Sequence, residues 1–148
     1  MKRLLVFLAA SLFLFACDKE AVETFLVTDL QVDYMTTPLG IDTQSPRFSW
    51  KMQSDAYDQH QASYRILVRE AESGALVFDS GDCLSDVSVG VVYRGEQLKP
   101  CTRYDWTVEV TDAQQKVQQA SSWFETGLMD SGWSGARWIS GGQPHFSK

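Results

Sequence analysis

Residues 98–110 read LKPCTRYDWTVEV, Leu98 to Val110, and their alternation decides the fold. Tyr104, Trp106, Val108 and Val110 fall on one side of an extended chain, and Arg103, Asp105, Thr107 and Glu109 on the other. Successive side chains in a strand point to opposite faces, so this period of two predicts a strand with one buried and one solvated face.

The same period recurs on both sides of it. Leu30, Val32 and Tyr34 alternate with Asp29, Gln31 and Asp33; Phe48, Trp50 and Met52 alternate with Arg47, Ser49 and Lys51. Tyr64, Ile66 and Val68 face away from Arg65 and Arg69, Leu76 and Phe78 begin a short strand, Val87, Val89 and Val91 give a fifth, and residues 120–126 (ASSWFET) a seventh. Turn signals separate them at Pro38-Leu39-Gly40, Ser45-Pro46, Glu72-Ser73-Gly74, Arg94-Gly95 and Asp112-Ala113. No comparable helical period appears. Short antiparallel strands at this spacing predict an all-β sandwich of about seven strands and about 100 residues, and residues 27–127 fit it.

The 148 residues, 44% hydrophobic and 12% aromatic, suffice for one packed core. Thirteen basic and 19 acidic residues give a net charge of −6, and the basic ones are scattered singly among acidic ones. Binding a phosphate backbone needs a clustered cationic face, so nucleic acid is not an expected partner.

The N-terminus reads as an address. Lys2 and Arg3 precede an apolar run from Leu4 to Ala16, the pattern of a secretory signal, and the run is shorter than the roughly 20 residues a membrane span needs. Removing residues 1–16 leaves 11 basic against 19 acidic residues, a net charge of −8. Leu14-Phe15-Ala16-Cys17 resembles the lipobox of bacterial lipoproteins, although Phe15 is bulkier than usual; it implies lipidation of Cys17 and a membrane-anchored chain, periplasmic or at the cell surface. Residues 17–26 then form a polar tether.

Within the opening stretch, Leu98-x-Pro100-x-Thr102-x-Tyr104 resembles the fibronectin type III signature, with Trp50 matching that family's buried tryptophan. The resemblance implies a tyrosine corner at Tyr104, whose hydroxyl bonds nearby backbone, with Leu98 plugging the core and Pro100 fixing the turn. Trp50 and Trp106 are expected in the core, so the stretch is scaffold. Cys83 and Cys101 flank the fifth strand, whose length of roughly 15–20 Å exceeds the span of a disulfide, and two unpaired thiols are expected.

Three further stretches narrow the family: residues 27–50 (VTDLQVDYMTTPLGIDTQSPRFSW), ASYRILV followed by VFDSG, and residues 121–140 (SSWFETGLMDSGWSGARWIS). Together they resemble the N-terminal region of bacterial α-L-rhamnosidases, in which a fibronectin-like sandwich precedes further domains. The resemblance implies that hydrolysis of terminal α-L-rhamnose, with inversion, belongs to a helical barrel several hundred residues downstream. No catalytic residue of that family falls on this sequence. Residues 128–148 are expected to be a linker and the start of a second β-sandwich, cut short.

The residues themselves offer little chemistry. A glycoside-cleaving pair needs one carboxyl held protonated across a cleft from another; Asp79, Asp82 and Asp86 read instead as solvated turn formers, and Asp42 as an acceptor of backbone hydrogen bonds in its own turn. His60 and His145 are isolated, and Gly141-Gly142 lacks the strand and helix of a phosphate loop. No metal and no cofactor are expected. Of Trp123 and Phe124 only one can point inward, and Trp123, Trp133 and Trp138 read as packing for the next domain. The expected partners are therefore downstream domains of the same polypeptide and the membrane through Cys17, with rhamnose-containing glycans as the alternative use of these tryptophans. The competing reading is a stand-alone fibronectin-like glycan-binding or adhesion lipoprotein.

Overall fold

The structure, a computed structural model, describes residues 25–133, 135–137 and 139. The expected signal segment, Cys17, Trp138 and His145 lie outside them. Among the described residues seven strands form two antiparallel sheets: β1 (Phe25–Val32), β2 (Arg47–Ser54), β3 (Gln61–Glu70), β4 (Leu76–Asp79), β5 (Val91–Val92), β6 (Arg103–Asp112) and β7 (Val117–Glu125). One sheet has the order β1-β2-β5 and the other β4-β3-β6-β7, an all-β sandwich as the alternation requires. A short 3₁₀ turn, Met129–Ser131, follows β7.

The two inner faces meet in one core. Tyr104, Trp106, Val108 and Val110 are all buried, as are Phe48 and Trp50 opposite them. The rings of Phe48 and Trp106 pack across the sandwich with centroids 4.6 Å apart, and Tyr104 stacks on Phe124 at 5.3 Å. Such ring pairs contribute about 0.5–1.5 kcal/mol each beyond their burial.

β1 begins at Phe25 rather than at 27 or later, because Phe25 is fully buried and pairs with Ser54. The expected tether, residues 17–26, thus gives up its last two positions to the sheet. A bulge hides this start from simple alternation. Thr28 pairs with Lys51 but Gln31 with Ser49, so one extra residue enters β1, and Asp29 takes a left-handed φ of 51°. The inward set changes parity there, from Phe25 and Val27 to Leu30 and Val32. Tyr34 does not continue it; with φ at 65° it turns outward and is exposed.

The expected fifth strand is largely replaced by an irregular crossing. Only Val91 and Val92 pair with β2, while Val87 and Val89 are exposed. One backbone bond, Trp50 N–H to Ser88 O at 2.9 Å, and several side chains hold this segment: Gln61 Nε2 donates to the carbonyls of Ser85 and Val87, and Gly90 N–H donates to Ser49 Oγ.

Candidate functional site

Of the residues that could carry chemistry, Asp79 is engaged structurally, whereas Asp82, Asp86 and His60 are exposed. Arg65 donates from Nε and Nη2 to both oxygens of Asp79, at 2.9 and 2.7 Å. These bonds, with the N–H of Gly81, hold the Asp79 carboxyl down at about 2, so it is ionised at neutral pH and holds no proton for a leaving group. Asp82 and Asp86 are exposed in the polar loop. His60 is exposed as well, its Nδ1 3.1 Å from the carbonyl of Asp58. Among the described residues no cluster of three or more His, Cys, Asp or Glu could hold a metal ion.

The thiols sit at opposite ends. Cys83 pairs with Tyr64, which lies level with Val110 on β6, whereas Cys101 precedes the start of that strand. Both are free.

The opening stretch closes one end of the sandwich. Tyr104 Oη accepts the Lys99 N–H at 2.8 Å, five residues upstream, forming the expected corner. Leu98 is buried, and its backbone is held on both sides by Gln44, whose Oε1 accepts from Leu98 N–H and whose Nε2 donates to Leu98 O. Pro100 is exposed, and its carbonyl accepts from Thr102 Oγ1. Tyr93 forms a second corner that alternation does not reveal. Its hydroxyl donates to Glu96 O at 2.7 Å, and Gly95 packs so close that an added Cβ would lie 2.6 Å from that hydroxyl.

Beside this corner the chain leaves the sandwich, and here the Trp-Phe-Glu-Thr-Gly run acquires separate roles. Phe124 is the inward ring. Trp123 lies on the outer face, with the Arg103 guanidinium 3.8 Å above its ring centre and Glu125 on the far side of an Arg103 contact at 3.8 Å. A cation already covering one face of the indole disfavours a sugar stacking there. Thr126 is buried; its hydroxyl donates to Lys99 O at 2.6 Å and accepts from Thr102 N–H at 2.9 Å.

Gly127 is gripped on both sides, donating to Ile41 O and accepting from Cys101 N–H, each at 2.8 Å. An added Cβ would lie 2.4 Å from Asp42 Oδ1 and 3.0 Å from Gly40 O, so no side chain fits without displacement. Asp42 does not bond within its own turn as expected; it accepts the N–H of Met129 at 3.0 Å, 87 residues on. Trp133 is exposed.

The family model described as "Rha78A-like, N-terminal immunoglobulin domain" matches residues 27–130. An α-L-rhamnosidase of Streptomyces avermitilis is 44% identical over 123 residues, covering 80% of this chain and 12% of the relative. One from Formosa agariphila is 35% identical over 151 residues, covering 93% of this chain and 16% of the relative. The crystal structure of the Streptomyces avermitilis enzyme complexed with L-rhamnose superposes with a TM-score of 0.70 over 75% of this chain and 11% of that one. The structure of the α-L-rhamnosidase from Dictyoglumus thermophilum, 32% identical, gives a TM-score of 0.67 over 74% of this chain and 13% of that one. The chain thus spans about an eighth of the length of these relatives.

Proposed function

The chain belongs to the family of Rha78A-like, N-terminal immunoglobulin domains, and on that premise we propose that it is the noncatalytic N-terminal module of an exported, lipid-anchored α-L-rhamnosidase-like hydrolase. The complete polypeptide would hydrolyse terminal α-L-rhamnose with inversion, using acid and base carboxylates of downstream domains. This chain would orient those domains and hold them away from the membrane.

The observation that carries the reading is the placement of the two ends. β1 begins at Phe25 beside Ser54, at one end of the sandwich; the outgoing chain leaves at Gly127 beside Ile41 and Cys101, at the other. Strands of eight to ten residues separate them, roughly 25–30 Å at about 3.3 Å per residue. Lys2, Arg3 and the apolar run to Ala16 support export, and Leu14-Phe15-Ala16-Cys17 supports acylation. Two or more acyl chains, each buried methylene contributing about 0.8 kcal/mol, anchor stably where one is marginal. Residues 128–148 would be the linker into a second sandwich.

Labelling with a radioactive fatty acid in a bacterial host tests the anchor: the wild-type chain takes up label in the membrane fraction and Cys17→Ser does not. Label retained in Cys17→Ser contradicts lipidation at that residue. Titration of the soluble domain with rhamnose-containing oligosaccharides separates the module reading, which predicts no saturable binding, from a stand-alone glycan-binding lipoprotein.

A further inference from the structure

Five of the eight non-glycine residues described with positive φ gather at the end where the chain leaves: Asp33, Tyr34, Thr37, Cys101 and Met129, with φ of 48°, 65°, 45°, 50° and 49°. Left-handed backbone costs a β-branched residue such as Thr37 most, and persists where surrounding bonds over-determine it. At this end they do. Glu125 N–H donates to Pro38 O at 3.0 Å, Ile41 N–H to Glu125 O at 2.9 Å, and Gly127 N–H to Ile41 O at 2.8 Å, a parallel pairing between the 38–41 loop and the end of β7. From the other side Cys101 N–H and Thr102 N–H reach Gly127 O and Thr126 Oγ1.

This pairing does not stop where the strand stops. Beyond Gly127 the Asp42 carboxylate takes the N–H of Met129, and the Met129 side chain packs against the core. We propose that Asp42 is the latch of a three-segment clasp, built from residues 38–42, 99–102 and 125–129, which carries the rigidity of the sandwich through Met129 and fixes the direction of the outgoing chain. The glycine at 127 is part of the latch, because a Cβ there would lie 2.4 Å from Asp42 Oδ1 and push it aside. Asp42 is thus a positioning residue. That the orientation serves a following domain rests on the proposed function; the clasp itself does not.

Amide hydrogen exchange followed by NMR on the 148-residue chain tests it, with Asp42→Ala, Asp42→Asn and Gly127→Ala. A hydrogen bond to a charged group is lost in Asp42→Ala, so Met129 N–H exchanges about ten- to a hundredfold faster, while Ile66 and Val108 in the core change less than twofold. Asp42→Asn keeps an Oδ1 acceptor and restores most of the protection. Gly127→Ala displaces the carboxylate and speeds Met129 as Asp42→Ala does, and adding it to Asp42→Ala produces less than the product of the two effects. Met129 exchange within twofold of wild type in Asp42→Ala, or equal acceleration at Ile66 and Val108, overturns the latch. Neither result bears on the module reading, since no downstream domain is present in the measurement.

Discussion

The indole N–H of Trp50 donates to Gln61 Oε1 at 2.9 Å, and both side chains are buried. Gln61 in turn donates to the carbonyls of Ser85 and Val87. One amide thus ties the buried Trp50 on β2 to the crossing that stands in for a full fifth strand. Buried polar groups are costly when unpaired, so a satisfied relay of this kind holds loop and core together.

Gln61→Ala removes the partner of a buried indole N–H and of two loop carbonyls. The expected loss is about 2–3 kcal/mol, read as a shift in the chemical denaturation midpoint. A change below about 0.5 kcal/mol would show that the relay contributes nothing.

Tyr104→Phe leaves the stack on Phe124 intact and removes only the acceptor for Lys99 N–H. Stability should fall by about 1–2 kcal/mol, with the near-ultraviolet circular dichroism of the core preserved.

Gly95→Ala should be the more damaging of two small changes. Its Cβ would fall 2.4 Å from Val77 O and 2.7 Å from Phe78 Cβ, so the β4 backbone has to move. A loss of about 2 kcal/mol or more is expected. Gly74→Ala is the control, since its Cβ meets no atom within 4 Å although its φ of 70° still strains alanine.

The Arg65–Asp79 pair sets a pH dependence at the acid end. The folded carboxyl titrates at about 2, lowered first by the Arg65 hydrogen bonds, against about 3.9 in an unfolded chain. A depressed folded value means that its contribution is fully present above the unfolded value and is lost as the pH falls towards 2. Carbon-13 NMR of the Asp79 carboxyl should give a midpoint near 2, moving up towards the ordinary value in Arg65→Met; a wild-type midpoint near 4 would contradict the pairing.

Much of this fold was legible because β2 and β6 alternate, as does the inward face of β3 at Tyr64, Ile66 and Val68, and the inward residues of these strands form much of the core. What alternation could not show follows from its breaks. The bulge at Asp29 shifts the inward parity of β1, so Phe25 and Val27 fall out of step with Leu30 and Val32. Val87 and Val89 alternate like a strand, yet the Gln61 amide takes the carbonyls around them and exposes both residues. Tyr104 was recognisable by its neighbours Leu98 and Pro100. Tyr93 was not, since its partner carbonyls at Glu96 and Val77 depend on how β4 passes Gly95. The bond from Met129 to Asp42 spans 87 residues, and no local pattern encodes it.

If the proposed function holds, this sandwich supports chemistry housed elsewhere in a longer polypeptide. The decisive assay is release of chromophore from an aryl α-L-rhamnoside by the purified 148-residue chain, beside a polypeptide carrying the downstream domains of a relative. Blank rates from the chain alone and turnover from the longer protein are expected; sustained turnover by the chain alone would overturn the module reading.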